Sequence, residues 1–393
     1  MNGSSFDYLR GNYYISAASL LLEYRSFIDS HPTLFKVNAA NPYWPKMVFY
    51  CQELEKFPEI MRAVTRIHVA SQIDFERALF CSWSSLLIAR SLNLPEVHHR
   101  SLFFAGLLQD IGKHSESAEV HDFTSKVNGP FVAQVCDKSQ KDLHPLISAT
   151  ILESQLSELN GLCDLVLNHH ARDDGNGYPS HVSESQLGTD NQILIIANEI
   201  SDRLDRLGGH NQMVHILPSL KLNALLYFDK VHLSWVQLFE PHLPKNEPDF
   251  DNESLVLDIA EKVHNLEKMM ACMLVVSAEL LPYEFDLKVH GLRLMIRRLV
   301  RLSADTGIFD PSLFDKKFQE TSNSKQDTAY DFIRDIDLTL KGLPEILSRL
   351  LVFVDDILKS RKYDVNITLI QNLRTQLYKN LKSLEGSRCS IFR

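Results

Sequence analysis

Long apolar runs are missing from this chain. The most hydrophobic stretch, Met269 to Ala278, is far shorter than the ~20 residues a membrane-crossing helix needs, so no membrane span is expected. Closely paired cysteines are missing as well. Cys51, Cys81, Cys136, Cys163, Cys272 and Cys389 are scattered without a Cys-x-x-Cys, which reads as buried thiols of a reducing compartment rather than a disulfide frame. Neither a basic n-region nor an apolar h-region follows Met1-Asn2-Gly3-Ser4-Ser5, so no secretory signal is expected and the location reads as cytoplasmic. Positive charge is in deficit. The formal net charge of -9 argues against a general nucleic-acid or membrane-surface role, though not against one small anionic ligand in a local site. No Ser-His-Asp arrangement, Walker loop or dinucleotide fingerprint is evident, and there is neither an internal repeat nor a low-complexity segment.

What remains is an ordinary globular composition, 45% hydrophobic and 23% charged over 393 residues, long enough for two or three domains. The periodicity predicts an all-α fold. Residues 1–65 suggest short helices with a break at Asn41-Pro42-Tyr43-Trp44-Pro45. Residues 66–209 predict a helical domain, with apolar stripes such as Leu102, Phe103, Leu107 and Leu108, then Ile147, Ile151 and Leu152, then Ile193, Ile196, Ala197 and Ile200. Gly208-Gly209 ends it. Residues 210–252, carrying Pro241, Pro244 and Pro248, read as a linker. Residues 253–393 predict a second, C-terminal helical domain with long helices over 254–281, 285–303, 330–360 and 364–384. In the last of these Ile367, Ile370, Leu373, Leu377, Leu381 and Leu384 form one seam of a bundle.

The chemistry concentrates in three short motifs. His169-His170 closes an apolar segment, and Ala171-Arg172-Asp173-Asp174-Gly175-Asn176-Gly177-Tyr178-Pro179 follows at once. Histidines are natural metal ligands. Gly175 and Gly177 let backbone amides approach a ligand, and Pro179 stiffens the exit. Upstream stand Gln109-Asp110-Ile111-Gly112-Lys113 and His144-Pro145. Two further groups read more readily as solvated surface. His114, Glu116, His121 and Asp122 are the weaker candidate for a metal patch. Arg293, Arg297 and Arg301, with Arg298 beside them, are the weaker candidate for an anion or acidic-partner site.

Together the three motifs resemble an HD-GYP domain, from the bacterial branch of the HD phosphohydrolases that hydrolyses cyclic di-GMP. The resemblance covers only the middle of the chain. It implies an HD-type helical bundle core and a divalent metal such as iron or manganese, held by Asp110, His144, His169, His170 and Glu199. It gives Asp110 and Lys113 catalytic roles, makes Lys113 a phosphate contact, and sets Gly175, Gly177, Tyr178 and Pro179 beside the dinucleotide. Such a hydrolase needs a cation to polarise the phosphoryl oxygen and to generate the nucleophile.

The sequence departs from that pattern at several ligand positions. Glu199 stands where the family carries aspartate, which keeps the carboxylate on a longer arm. Gln109 replaces the histidine of the His-Asp pair, and a neutral amide is a poor ligand beside imidazole. A gapless count puts Arg77 where the first histidine should be and Ile73 where an early glutamate should be. Arginine neither deprotonates nor ligates, so a fixed cation there would repel a metal while balancing Asp110 and Glu199. Glu76 and His68 lie near enough in sequence to rescue a ligand. The metal set is therefore expected to be reduced in number or absent. Two readings follow. The first is a degenerate HD-GYP protein of bacterial cyclic di-GMP signalling, mainly a binding or regulatory module with weak or no hydrolysis. In it the C-terminal helical half meets a protein partner or forms a homodimer. The alternative is an active metal-dependent phosphodiesterase hydrolysing cyclic di-GMP.

Overall fold

The computed structural model of the chain describes residues 14–115, 140–156, 161–174, 177–179, 186–244, 253–306, 312, 316, 327–360 and 362–386. Among these residues the fold is all-α, with fifteen α-helices and no strand. It divides into two compact units: Met1–Asp173, Gly177–Val214 and Ser234–Leu243 form the first, and Asp174–Asn176, His215–Leu233 and Pro244–Arg393 the second.

The first unit begins with α1 (Ala17–Asp29), α2 (Pro32–Ala40), α3 (Trp44–Leu54) and α4 (Pro58–Ala70). The prolines that break this segment in sequence start its helices. Pro32, Pro45 and Pro58 sit in the first turn of α2, α3 and α4, where the missing amide proton costs nothing. The centre is α5 (Gln72–Ser91), which buries nearly its whole circumference from Ala78 to Ala89, and α6 (Glu96–Leu108), buried from Ser101 onward. A helix apolar all round belongs inside a domain. Ser71 caps α5 by accepting from the Asp74 backbone amide at 3.2 Å, which holds Asp74 in the first turn. A 3₁₀ turn, Ile111–His114, follows α6, and then come α7 (Gln140–Gln155), α8 (Leu162–Leu167) and α9 (Thr189–Arg206). The predicted stripe of α9 is buried at Ile193, Ile196, Ala197 and Ile200, and Leu204 extends it.

One expectation needs correction. Residues 210–243, read as the start of a linker, carry a 3₁₀ turn, α10 (Met213–Asn223) and α11 (Asp229–Phe239). Pro218 lies within α10, and Trp235 and Phe239 on α11 are fully buried and stacked with ring centroids 4.8 Å apart. The proline count suggested an open connection, but burying two large aromatics outweighs it.

The second unit holds four long helices: α12 (Glu253–Glu279), α13 (Leu287–Thr306), α14 (Asp327–Ser360) and α15 (Ile367–Gly386). Their apolar faces share one core, including Leu266, Met273, Leu292, Ile296, Leu343, Leu350, Leu373 and Leu377. Each fully buried leucine stabilises by ~1.5–3 kcal/mol. The predicted α15 seam is buried at Ile370, Leu373, Leu377 and Leu384 and partly buried at Leu381. Ile367, the first residue of the helix, is instead 58% exposed, because the seam begins one turn later. No helix among the described residues is long and apolar enough to cross a membrane.

Candidate metal centre

Asp110 follows α6 and opens the 3₁₀ turn. The Gly112 amide donates to Ser148 Oγ on α7 at 2.9 Å, which ties the turn to the helix that carries His144. His169 and His170 leave the end of α8. Asp110, His144, His169 and His170 thus each present a ligand atom, all within 4.8 Å of one another. His144 Nε2 lies 3.0 Å from Asp110 Oδ1 and 3.2 Å from Nε2 of both His169 and His170. Ligand atoms around a single ion, with metal–nitrogen bonds of about 2.1 Å, are separated by ~3.0–3.4 Å. One carboxylate and three imidazoles at these spacings fit one divalent ion.

The surroundings favour the ligating form of these groups unevenly. Burial pushes His169 and His170 below the ordinary histidine range, against the pull of Asp110, and so keeps both neutral. His169 Nδ1–H donates to the Val166 carbonyl at 2.6 Å, which leaves the Nε2 lone pair for the cluster. His170 differs. Its Nδ1 lies 3.2 Å from Asn198 Nδ2, and an amide donor there puts the ring proton on Nε2. Asn198 Oδ1 in turn accepts from Gln109 Nε2 at 3.1 Å. Gln109 and Asn198 therefore form a buried amide pair beside the histidines.

Asp110 is 1% exposed, and burial alone would raise its carboxyl. Lys113, with the imidazoles of His144 and His169 beside the carboxylate, overcomes that and holds it well below the usual carboxylate range. Lys113 Nζ is 2.8 Å from Asp110 Oδ2 and 3.7 Å from Asp74 Oδ1. Asp74 is brought down to about 2, first by its hydrogen bond with His114 and then by Lys113 against the effect of burial. Tyr178 covers the other side. Its ring stacks on His170 with centroids 4.5 Å apart at 21°. A Cβ on Gly177 would lie 2.5 Å from the His170 carbonyl, so glycine is what lets the chain double back over the histidine pair. Pro179 follows through a cis peptide bond.

A cleft of about 750 Å³ opens over this cluster, within the ~300–1,000 Å³ usual for small-molecule pockets. Lys113, His144, His170 and Tyr178 line it together with Arg77, Arg206, Asp74, Asp202 and Asp205. Arg77 is committed: Nη1 is 2.6 Å from Asp202 and Nη2 is 2.9 Å from Asp205.

Several expectations change at this point. Glu199 is not in the ligand group; Asn198, one step round α9, is the side chain that reaches His170. Arg77 balances Asp202 and Asp205 rather than Glu199, while Lys113 sits nearest Asp110. Ile73 is 62% exposed, and its neighbour Asp74 is the one that lines the cleft. Neither rescue residue is in the group: Glu76 accepts from Gln72, and His68 lies 3.7 Å from Glu23. His114 pairs with Asp74, whereas Gly175, Glu116, His121 and Asp122 lie outside the described residues. Asn198, Asp74 and the Asp202–Asp205 pair were missed by sequence reasoning. The spacing Leu194, Asn198, Ser201 was the available signal for Asn198, since those three share one helix face and are all buried.

Residues 67–229 match the family model described as an HD domain. A cyclic di-GMP phosphodiesterase of Pseudomonas aeruginosa is 26% identical over 132 residues, which covers 34% of this chain and 30% of that protein. The chain therefore aligns with less than a third of that relative's length. No solved structure matches the chain.

Proposed function

We propose that the region over residues 67–229, which matches the HD-domain family model, holds a single divalent ion and binds a cyclic dinucleotide, with weak or no hydrolysis. The observation that carries this reading is the contrast between two sides of one cluster. Asp110, His144 and His169 converge at coordination distances. The adjoining positions are the Gln109–Asn198 amide pair and an arginine already bound to two carboxylates. A paired guanidinium cannot ligate and neutral amides are poor ligands for a second ion, and phosphodiester hydrolysis by this class relies on more than one.

When bound, the ion would polarise a phosphoryl oxygen. The chain supplies the rest. Lys113 has three donors and spends them partly on Asp110 and Asp74, so a phosphate oxygen can take the third. Tyr178 lines the cleft beside the cluster, where a base can pack against its ring. The acidic rim of Asp74, Asp202 and Asp205 tempers the attraction for a polyanion, which suits modest binding. By its name the Pseudomonas relative acts on cyclic di-GMP, and we take that dinucleotide as the ligand. A protein partner or homodimer contact through the helices of residues 253–386 belongs to the same reading.

A second reading is favoured by one specific observation, the completeness of the Asp110, His144, His169 and His170 group for one ion. On it the protein is a metal-dependent cyclic di-GMP phosphodiesterase. Metal analysis after loading with manganese or iron, with cyclic di-GMP titration and product chromatography, separates the two. One ion per chain with binding and negligible turnover is expected. Turnover that is lost in Asp110→Ala, whether with one ion per chain or more, would establish the second reading instead.

A further inference from the structure

His169 and His170 are adjacent, yet their ring protons are placed in different ways. His169 Nδ1–H donates to the Val166 backbone carbonyl at 2.6 Å, and a carbonyl can only accept. The His169 Nε2 lone pair is therefore permanently turned to the cluster. His170 Nδ1 instead faces a side-chain amide, Asn198 Nδ2, at 3.2 Å. With that amide donating, the ring proton sits on Nε2, which lies 3.2 Å from His144 Nε2. The third imidazole is closed to an ion in this arrangement, although its ring is in place.

A carboxamide differs from a carbonyl in that it can be turned over. It has a donor end and an acceptor end of nearly the same shape, on a terminal torsion with two-fold wells. Asn198 and Gln109 are 1% and 0% exposed, so bulk water does not replace their partners. The two are joined in series: Gln109 Nε2 donates to Asn198 Oδ1 at 3.1 Å, and Asn198 Nδ2 faces the imidazole. Turning both amides over keeps the two bonds and reverses their direction. Asn198 Nδ2 then donates to Gln109 Oε1, and Asn198 Oδ1 accepts from His170 Nδ1–H.

The direction seen is not locked by its surroundings. Gln109 Oε1 is buried with no hydrogen-bond partner among the described residues. Reversal puts the Gln109 nitrogen in that place, so one polar atom is unmet either way. The Cys81 thiol hydrogen-bonds the same amide, and sulfur is both a weak donor and a weak acceptor. The Tyr178 ring, stacked on His170 with centroids 4.5 Å apart, holds the imidazole still while its proton relocates.

We propose that Gln109 and Asn198 are positioning residues forming a reversible switch on His170, which becomes a ligand when both amides turn over. No net charge changes: the ring loses the proton at Nε2 and takes one at Nδ1, by exchange with solvent. An ion that binds only the receptive direction draws the pair toward it. Its apparent affinity falls with the fraction of chains in that direction. This rests on the single-ion reading above and adds how the third imidazole is admitted to the site.

Nitrogen NMR of the full chain, labelled in its histidine, asparagine and glutamine side chains, tests the switch with Zn²⁺ as the probe ion. One equivalent of Zn²⁺ is expected to move the His170 ring proton from Nε2 to Nδ1 and to shift the side-chain amide signals of both Gln109 and Asn198. Asn198→Asp, whose carboxylate only accepts, should hold the Nδ1–H form without metal and bind Zn²⁺ ~10-fold or more tightly than the unaltered chain. Bound Zn²⁺ with His170 Nε2 still protonated would overturn the switch. A relocated ring proton with an unmoved Gln109 signal would overturn the coupling of the two amides. Weaker Zn²⁺ binding in Asn198→Asp would make Asn198 a packing residue only. Should that variant fail to fold, the titration of the unaltered chain decides by itself. If the unaltered chain takes up no Zn²⁺, the single-ion reading falls. The metal-free forms then decide the role of Asn198: the same His170 tautomer in the unaltered chain and in Asn198→Asp would overturn it.

Discussion

The two sides of the histidine cluster are built from similar elements and differ in what they can bind. On one side Asp110, His144 and His169 point ligand atoms at a common centre, and the Val166 carbonyl fixes the His169 tautomer. On the other, Gln109 donates to Asn198, whose own amide turns the His170 proton inward, while Arg77 is held by Asp202 and Asp205. Both sides are buried and well packed, so burial and order do not distinguish a binding wall from an inert one. Donor and acceptor direction does. An amide that donates to an imidazole nitrogen and a carboxylate that accepts from it leave opposite faces of the ring free.

The largest effect should come from breaking the binding side. Asp110→Ala removes the shared carboxylate and should cost ~100-fold or more in Mn²⁺ affinity, measured by titration and metal analysis. Unchanged metal content would place the ion elsewhere. Next comes conversion of the inert side. Gln109→His with Asn198→Asp gives His170 an acceptor at Nδ1 and adds ligands, and should tighten metal binding by ~10-fold or raise the stoichiometry above one. No gain would mean that Arg77 alone keeps a further ion out; adding Arg77→His then tests it.

Arg77→Ala is expected to act on stability more than on affinity. Breaking a fully buried ion pair costs ~3–5 kcal/mol. Here Asp202 is 34% exposed and Asp205 24%, and solvent screens part of the charge left behind, so about 2 kcal/mol is expected by denaturant titration. A stabilised variant would show the pair to be a net cost.

The smallest effect sharpens the comparison with a buried histidine that has no ligand partners. His210 packs among Phe27, His31 and Phe80, and burial lowers it to about 3, so it stays neutral in the fold. The unfolded chain, with an ordinary histidine near ~6.5, binds the extra proton between those values. Stability from this group is therefore full above ~6.5 and falls by up to about 1.4 kcal/mol per pH unit below it. His169 and His170 shift the same way, so the difference between the unaltered chain and His210→Phe isolates the contribution. Identical pH slopes for the two proteins would exclude it.

Much of the fold was legible because helical periodicity is local. The stripes of α6, α7 and α9 and the seam of α15 were visible from spacing alone, as were the Asp110 and His169-His170 motifs. The proline-bearing stretch at 210–243 was misread because its helices owe their stability to buried Trp235 and Phe239, whose partners lie far away in sequence. Glu199 was named because it stands where the family carries aspartate. Yet each step along a helix turns a side chain by roughly 100°, and packing of α9 gave the inward position to the amide.

The sequence by itself determined the helical class, the HD motifs and the presence of a cation where a ligand was expected. Residue type and local spacing suffice for those. Only the tertiary structure decided that Arg77 is bound to Asp202 and Asp205 and that an amide pair adjoins His170. Each of these depends on which side chains from distant segments face one another, and that is fixed by helix phase and core packing rather than by any short pattern.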